Sequence, residues 1–287
     1  MSIDLHAHTT ASDGSLTPSE LVRLAASLRL TAVAVTDHDT VAGLGEALAA
    51  GRQHGVDVVP GCELSVFHGT LKMHILGLWL PALPARLIET MDALMRHRHD
   101  RNYVIVDRLR ALGMDITYDE VKAVAGEGSV GRPHIATVMH DKGYVRTMQQ
   151  AFDEYLGAGG KAHAPKRVLS AEEAIRLLRE EQATVILAHP FQLGLASESL
   201  EPLVREFMAF GLDGIEAYYS EHTAAQTQQC LELAATLDLA VSGGSDFHGR
   251  PKPDIALGSG KGGLDIPDAV LVNLKARRQR QGRPCPS

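Results

Sequence analysis

The chain has 287 residues, of which 45% are apolar and 22% charged, and its net charge is −7 with histidine counted as neutral. This length allows one large domain, or one domain with a sizeable insertion, and the acidic balance argues against tight binding of long nucleic acid. Three cysteines without a Cys-x-x-Cys pair argue against a disulfide framework or a zinc ribbon. We find no apolar stretch of membrane-spanning length and no signal peptide before the first apolar segment, so we expect a cytoplasmic protein without a membrane partner.

The first fourteen residues predict a metal-binding segment. Residues 3–5 have the pattern of a short buried strand and lead directly into His6 and His8. Side chains two residues apart on an extended segment point to the same side, so both imidazoles can face one point beyond the strand. Imidazole suits ions such as Zn, Mn and Fe, and Asp13 adds a carboxylate a few residues later.

Strands and helices then alternate in the manner of a parallel α/β fold. The predicted elements of this part cover residues 18–28, 32–35, 40–54, 56–61 and 72–80. Ligands of such folds gather at the carboxyl ends of the strands, so polar residues at those ends are candidate site residues. His38 and Glu63 each follow a predicted strand, and His74 lies within the last one.

The pattern changes after residue 83. Residues 84–181 show no convincing buried strand, and we interpret them as a mostly helical insertion whose ends include helices of the α/β part. Arg132, Pro133 and His134 stand at a helix start, where backbone N–H groups favour anions. Lys161 follows two glycines, as in loops that close on phosphate. We expect these four residues to bind a substrate phosphate, and the alternative is an ordinary capped surface helix.

The α/β alternation resumes in residues 182–287, where predicted strands deliver His189, Asp246 and His248. Glu216 lies in another of these strands and stays outside the predicted ligand set. Six imidazoles and three carboxylates suit Mn, Zn or Fe better than Mg, and they suffice for two or three ions if carboxylates bridge. The nine predicted ligands are His6, His8, Asp13, His38, Glu63, His74, His189, Asp246 and His248.

The motifs that carry these ligands, in their order along the chain, resemble the PHP family, the polymerase and histidinol phosphatase metal hydrolases. They occupy residues 6–9, 36–39, 61–63, 74, 188–190 and 244–248. The resemblance implies an α/β fold, a distorted (β/α)7 barrel of residues 1–83 and 182–287, with the insertion covering the active site. It also implies two or three Mn²⁺ ions per chain, with Zn or Fe as alternatives.

The family pattern further implies which ligands share an ion. Many relatives have histidine at the position of Asp13, so aspartate there bears on the occupancy of the third site. The implied sets are His6, His8, Glu63 and Asp246 for the first ion, Glu63, His74 and His189 for the second, and Asp13, His38 and His248 for the third.

The insertion is similar to that of a PHP subgroup that removes the 3′-phosphate from nucleoside 3′,5′-bisphosphates, converting adenosine 3′,5′-bisphosphate to AMP and phosphate. We expect a hydroxide bridging two ions to attack phosphorus, with Asp13, Glu63 and Asp246 as catalytic residues. Asp13 is also a candidate for substrate binding, and either Asp13 or a water on the metal is a candidate general acid. Three alternatives stay open: a 5′-to-3′ exoribonuclease on short RNA, a histidinol-phosphate phosphatase and a non-catalytic PHP module.

Overall fold

The computed structural model describes residues 2–126, 130–195 and 197–286. In that part of the chain, capping boxes stabilise the helix starts at Thr17, Thr117, Ser170 and Thr223. None of the described helices is long and apolar enough to cross a bilayer. The elements in chain order are β1 (Ser2–Asp4), α1 (Pro18–Ser27), β2 (Leu30–Val35), α2 (Leu44–His54), β3 (Asp57–His68), β4 (Leu71–Leu78), α3 (Ala85–Ala111), α4 (Tyr118–Ala125), α5 (Arg132–Asp141), α6 (Met148–Ala151), a π-helical turn (Phe152–Leu156), β5 (Leu169–Ser170), α7 (Ala171–Glu180), β6 (Thr184–Leu187), a 3₁₀ turn (Pro190–Leu193), α8 (Ser197–Phe210), β7 (Gly214–Tyr219), α9 (Ala224–Leu237), β8 (Ala240–Gly244) and α10 (Ala269–Arg280).

The helix predicted from Thr40 starts later than expected. It begins at Leu44 after the N-cap Gly43, which has no side chain to cap it. The hydroxyl of Thr40 instead accepts a hydrogen bond of 3.2 Å from the backbone N–H of Ala42. A hydroxyl engaged in a local turn competes with helix formation, so this threonine closes the turn before the helix.

The strand predicted over residues 56–61 is twice as long in the structure. β3 continues to His68 because Leu64 and Val66, two residues apart on one face of the strand, are fully buried. Glu63 therefore lies in the middle of a strand rather than just beyond its end. The pleat still turns its side chain inwards, since Glu63 is fully buried.

The strands form one mixed sheet. They follow the order β1-β2-β3-β4-β6-β7-β8, and β5 pairs with β3 off this path. The alternation in the sequence predicted parallel pairing, but β4 runs antiparallel to both β3 and β6. The connection explains this correction, because only residues 69–70 separate β3 from β4 and a parallel crossover needs a dozen residues or more.

A closed barrel would require a ladder between the two end strands, β1 and β8. Beyond β1, the backbone N–H of Leu5 donates 3.0 Å to the carbonyl of Gly243. An isolated bridge joins Ala7 to Phe247 past the ends of both strands. These contacts bring the carboxyl ends of β1 and β8 together, but they do not form a continuous ladder of hydrogen bonds between the two strands. The structure therefore shows an α/β fold with seven strands in one path, and the distorted (β/α)7 barrel stays a prediction.

The chain divides into two compact units, and the first comprises Met1–Glu89 and Leu169–Ser287. It contains the eight strands of the described residues together with α1, α2 and α7 to α10. Helix α7 packs on β3, β4 and β6 through an apolar face that includes Ile175 and Leu178. This packing explains why residues 169–181, at one of the two ends where the predicted insertion includes helices of the α/β part, lie in the first unit.

The second compact unit, Thr90–Val168, is helical in its described part. It contains most of α3, then α4, α5, α6 and the π-helical turn. Its own apolar core includes Leu109, Ile116, Ile135 and Met139, all of which are buried. The unit therefore has the apolar core that a small helical domain needs.

Candidate metal centre

The loop after β1 places two imidazoles beside one carboxylate oxygen. Nε2 of His6 and Nε2 of His8 each lie 3.1 Å from Oε2 of Glu63. The loop is held to the segment after β8, where the backbone N–H of Asp246 donates 2.9 Å to the carbonyl of His6. This close approach depends on Gly244, because a Cβ at that position would lie 2.3 Å from Cβ of His6.

Asp37 fixes the turn that carries Asp13. Its carboxylate accepts hydrogen bonds from the backbone N–H and the hydroxyl of Thr9, both of 2.7 Å, and from the hydroxyl of Ser12 at 2.6 Å. The side chain of Asp13 is 56% exposed, and its Oδ1 lies 3.3 Å from Nε2 of His248. The carboxylate of Asp13 is thus held beside His248, and it is open to solvent, whereas the side chain of His248 is buried.

Glu63 is surrounded by imidazoles on both of its oxygens. Its side chain is fully buried, so water does not compete for these oxygens. A carboxylate placed in this way has the geometry of a ligand that bridges two ions. The nearest imidazole nitrogens lie at 3.1 Å (His6 and His8) and 3.2 Å (His38) from Oε2, and at 2.9 Å (His74) and 3.0 Å (His189) from Oε1.

Asp246 adds a second buried carboxylate to the cluster. Its Oδ1 lies 3.2 Å from Nε2 of His8, 3.4 Å from Nδ1 of His248 and 3.6 Å from Nε2 of His6. The imidazole of His8 stands between two groups, since its other nitrogen, Nδ1, lies 3.8 Å from Oδ1 of Asp13. The ring of His8 therefore faces three carboxylates, those of Glu63 and Asp246 through Nε2 and that of Asp13 through Nδ1.

Eight of the nine predicted ligands fall into three groups whose ligand atoms lie within 4.8 Å of one another, as a shared ion requires. The ninth, His189, lies against Oε1 of Glu63. His38 belongs to two of the groups, so its assignment to the third ion alone stays a prediction. The groups are His6, His8, Glu63 and Asp246; His8, Asp13, His38 and His248; and His38, Glu63 and His74.

Several buried atoms of the cluster have no hydrogen-bond partner within the described part of the chain. Such atoms are rare in folded proteins because leaving them unpaired is costly. Nitrogen and oxygen donors in this proportion suit borderline divalent ions such as Mn, Zn and Fe. The donor set therefore fits a centre of divalent metal ions. The unpaired atoms include Nε2 of His6, both ring nitrogens of His8, Nδ1 of His38 and Oε2 of Glu63.

The charges of the cluster perturb its pKa values. Burial would raise the pKa of Glu63, but the neighbouring imidazoles, first among them His6, lower that pKa well below its usual value. Burial would likewise lower the pKa of His6, but the carboxylates of Glu63, Glu216 and Asp246 raise it well above its usual value. At His38 burial dominates and lowers the pKa to about 4. Glu63 and His38 are thus in the ligating form at neutral pH, whereas His6 would have to give up a proton to bind an ion.

Three residues outside the predicted ligand set hold ligands in place. Nδ1 of His6 donates 3.0 Å to Oε1 of Glu216. The hydroxyl of Tyr219 and the ammonium of Lys252 both donate to Oδ2 of Asp246, at 2.9 and 2.7 Å. Glu216 lies in a predicted strand, but its partner is 210 positions away. Strand periodicity gives no signal for such long-range contacts, so the sequence pattern did not assign Glu216 to the site.

The predicted phosphate-binding cations lie in the second compact unit. Arg132 is the first residue of α5, and its guanidinium donates 3.1 Å to the carbonyl of Leu156 and lies 5.8 Å from the ring centroid of Phe152. The ammonium of Lys161 lies 5.1 Å from the ring centroid of Tyr155. Arg132 and Lys161 therefore both contact the π-helical turn.

Pro133 and His134 belong to the same helix start. Pro133 occupies the first turn of α5, where its missing N–H costs no helical hydrogen bond. Nδ1 of His134 accepts a hydrogen bond of 3.1 Å from the backbone N–H of Gly131. His134 thus uses one ring nitrogen to stabilise the helix start, which leaves Nε2 for any ligand.

The chain is similar to known proteins in family, sequence and structure. A family model described as the PHP domain matches residues 4–164. The chain is 34% identical over 268 residues to a 5′-3′ exoribonuclease from Haemophilus influenzae. The aligned region covers 93% of this chain and 96% of that protein. It is 32% identical over 266 residues to a 3′,5′-nucleoside bisphosphate phosphatase from Chromobacterium violaceum, covering 92% and 90%. A candidate metal-dependent phosphoesterase structure from Bifidobacterium adolescentis superposes with a TM-score of 0.68 and 31% identity, covering 96% of each chain. The resemblance carried by the motifs is thereby confirmed, and the chain belongs to the PHP domain family of metal-dependent phosphoesterases.

Proposed function

We propose that this PHP phosphoesterase removes the 3′-phosphate from nucleoside 3′,5′-bisphosphates, converting adenosine 3′,5′-bisphosphate to AMP and inorganic phosphate. The observation that carries the proposal is the carboxylate of Glu63, buried between five imidazoles in a chain that is 32% identical to a phosphatase of this name. In the reaction, an oxygen of water forms a bond to phosphorus and the bond from phosphorus to the 3′-oxygen breaks. The products are the 3′-hydroxyl and phosphate.

The nine predicted ligands would hold two or three divalent ions, which we propose are Mn²⁺, with Zn or Fe as alternatives. Bound ions neutralise the phosphate oxygens and lower the pKa of water to near 7. Glu63, with imidazoles on both oxygens, would set the distance between two ions. Asp246 would bind through Oδ1, because its other oxygen is already held by Tyr219 and Lys252.

Asp13 would act where the centre opens to solvent. Its carboxylate is more than half exposed and lies beside His248, whose hydrogen bond lowers the pKa of Asp13 below its usual range. A carboxylate with a low pKa is a good ligand and a poor proton donor. The geometry thus favours Asp13 as a ligand and substrate contact over Asp13 as the general acid for the leaving 3′-oxygen.

The second phosphate needs a site of its own, because the ions hold the phosphate that is cut. We propose Arg132, Pro133, His134 and Lys161 for this role. Guanidinium groups bind phosphate oxygens through paired N–H donors, and a helix start adds backbone N–H groups. The common contact of Arg132 and Lys161 with the π-helical turn supports their assignment to one site.

The second candidate function is 5′-to-3′ exoribonuclease activity on short RNA. It is favoured by the relative from Haemophilus influenzae, 34% identical over 93% of this chain. It is also favoured by charge, since Thr90–Val168 carries 12 Lys and Arg against 10 Asp and Glu, whereas the remainder carries 16 against 25. Cations in one unit of an acidic protein provide a local region where a short phosphate backbone can bind.

Steady-state kinetics with the Mn²⁺-loaded protein tests the proposal. The substrates are adenosine 3′,5′-bisphosphate, histidinol phosphate and a 5′-phosphorylated dinucleotide, each followed by release of phosphate or nucleotide. The proposal expects the highest kcat/KM for the bisphosphate, with phosphate released from the 3′-position only. A higher kcat/KM for the dinucleotide would establish the exoribonuclease instead, and preference for histidinol phosphate would overturn both.

A further inference from the structure

Glu216 contacts two of the predicted metal ligands at once. Its Oε1 accepts a hydrogen bond of 3.0 Å from Nδ1 of His6, and its Oε2 accepts one of 2.8 Å from the backbone N–H of His189. The side chain is fully buried, so water does not share these contacts. In the family pattern His6 and His189 serve different ions, and Glu216 is a single side chain that connects them.

The contact with His6 fixes which ring nitrogen can bind an ion. A carboxylate accepts hydrogen bonds and does not donate them, so Nδ1 of His6 carries the hydrogen. Nε2 is then the nitrogen that remains for an ion, and it lies 3.1 Å from Oε2 of Glu63 and 3.6 Å from Oδ1 of Asp246. This nitrogen is one of the buried atoms without a hydrogen-bond partner. A hydrogen bond on the far nitrogen is how proteins orient a metal-binding imidazole.

The contact with His189 acts on the main chain instead of the ring. His189 has a φ of 26°, which is sparsely populated for a residue other than glycine. Its ring nitrogen Nδ1 is buried and has no hydrogen-bond partner among the described residues, so no contact there orients the ring. Nε2 nevertheless lies 3.0 Å from Oε1 of Glu63. The hydrogen bond from the backbone of His189 to Glu216 therefore holds the conformation that places this ring.

An irregularity in β7 directs Glu216 towards the cluster. Glu216 pairs with Ser242 on β8 and Tyr218 pairs with the next residue, Gly243, so Ala217 is an extra residue on β7. Such a bulge turns the side chains next to it away from the regular alternation, and bulges are frequent beside active sites. A bulge beside a buried carboxylate indicates that Glu216 orients the predicted ligands. It does not indicate a role in packing the apolar core.

We propose that Glu216 is a positioning residue that fixes the ring of His6 and the backbone of His189 together, and so couples the first and second metal sites. The inference rests on the metal centre proposed above and is independent of the substrate. It predicts that damage to Glu216 weakens both sites at once, while the group of Asp13, His38 and His248 is less affected.

The substitution Glu216→Gln isolates this role. A glutamine has nearly the same shape, but its single carbonyl oxygen can accept from only one of the two donors. If it accepts from His189, its NH₂ group faces Nδ1 of His6 and favours the wrong tautomer of that ring. If it accepts from His6, an NH₂ group faces the backbone N–H of His189. Both orientations are open to the amide, so each of the two ligands is disturbed in part of the molecules and both sites are weakened.

A matched control is Asp213→Asn, also a buried carboxylate in the same compact unit. Asp213 is held by Arg179, Arg283 and the backbone N–H of Val185, away from the cluster. We expect Asp213→Asn to lower the unfolding temperature of the metal-free protein and to keep metal affinity. We expect Glu216→Gln to keep an unfolding temperature close to that of the wild type and to lose about 10- to 100-fold in affinity for two ions per chain.

The measurements are Mn²⁺ binding in competition with a chelating dye, metal content per chain, the absorption spectrum of the Co²⁺-loaded protein and the unfolding temperature without metal. The inference expects weaker binding and an altered Co²⁺ spectrum for Glu216→Gln with unfolding close to wild type. Wild-type affinity and spectrum in this variant would overturn it. Failure of the wild-type protein to bind Mn²⁺ or Co²⁺ would overturn the metal centre itself, whatever the variant does.

Discussion

The hydroxyl of Tyr219 donates a hydrogen bond of 2.9 Å to Oδ2 of Asp246. The ammonium of Lys252 donates to the same oxygen, whereas Oδ1 of Asp246 lies 3.2 Å from Nε2 of His8. The two oxygens of this carboxylate therefore have different roles, one held by protein donors and one facing the imidazoles. Burial, and then the carboxylates of Asp246 and Glu216, raise the pKa of Tyr219, which keeps its hydroxyl protonated and able to donate.

We expect Tyr219→Phe to weaken metal binding by about three- to tenfold. The variant removes one hydrogen bond that orients a ligand, and such a bond contributes roughly 0.5–1.5 kcal/mol. Competition with a chelating dye measures the effect, and Tyr218→Phe on the same strand is the control. Equal affinities for both variants would show that Tyr219 does not orient Asp246.

Glu63→Gln should abolish most activity and metal binding together. The carboxylate lies within 3.2 Å of five imidazole nitrogens, so glutamine removes the negative charge that two ions would share. We expect kcat/KM to fall by about 100-fold or more, because a metal site contributes several kcal/mol to phosphate chemistry. Metal content measured on the same samples should fall in parallel.

The control for this variant is Glu206→Gln, which changes a half-exposed carboxylate paired with His68 outside the cluster. Circular dichroism of both variants separates loss of fold from loss of metal. Wild-type protein treated with a chelator should match the low activity of Glu63→Gln, and Mn²⁺ should restore only the wild type. Near wild-type rates in both the chelator-treated protein and Glu63→Gln would rule out a metallohydrolase.

The polar side chains at strand ends could be predicted because buried strands are short apolar runs. His6, His8 and His38 follow such runs, and the structure places each within 3.2 Å of Glu63. The position of Glu63 inside β3 was not predicted, since an apolar run ending in Pro60 and Gly61 resembles the end of a strand. The antiparallel direction of β4 follows from the two-residue turn that joins it to β3. Strand periodicity does not reveal how short this connection is.

The residues that support the ligands were beyond sequence reasoning for a different physical reason. Tyr219 and Lys252 each donate one hydrogen bond to Asp246. Glu216 accepts one from His6 and one from His189, which lie 210 and 27 positions away along the chain. Hydrophobic periodicity reports which face of an element is buried and gives no information on such contacts. The bulge at Ala217 also escapes prediction, because it depends on the pairing of β7 with β8.

His248→Ala should remove about one metal ion per chain. Nε2 of His248 lies 3.3 Å from Oδ1 of Asp13, in a group that does not include Glu63. The family pattern assigns this group to the third ion, so the two ions that Glu63 would share should remain. Elemental analysis of the purified variant gives the metal count, and His54→Ala at the end of α2 is the control. Loss of all metal at once would show that the sites are not separable, for which His8, shared between two groups, offers a structural reason.

Arg132→Ala tests substrate choice. A phosphatase for nucleoside 3′,5′-bisphosphates must recognise the phosphate that it does not cut, and the ions cannot hold both. The guanidinium of Arg132 stands at the start of α5, where backbone N–H groups also favour an anion. Charge-assisted hydrogen bonds contribute roughly 1.5–3 kcal/mol each, which corresponds to about a ten- to hundredfold change in kcat/KM.

We therefore expect Arg132→Ala to lower kcat/KM for adenosine 3′,5′-bisphosphate by about 10- to 100-fold and to leave that for a nucleoside 3′-monophosphate nearly unchanged, since the monophosphate has no group to place there. Arg146→Ala, which removes a cation elsewhere in the same helical unit, should change neither value. Equal losses on the two substrates would mean that Arg132 acts on the metal centre or on folding. No loss on either would move the second phosphate site elsewhere, with Arg250 next to be tested, because its backbone lies beside the turn of Asp13 through the hydroxyl of Ser15.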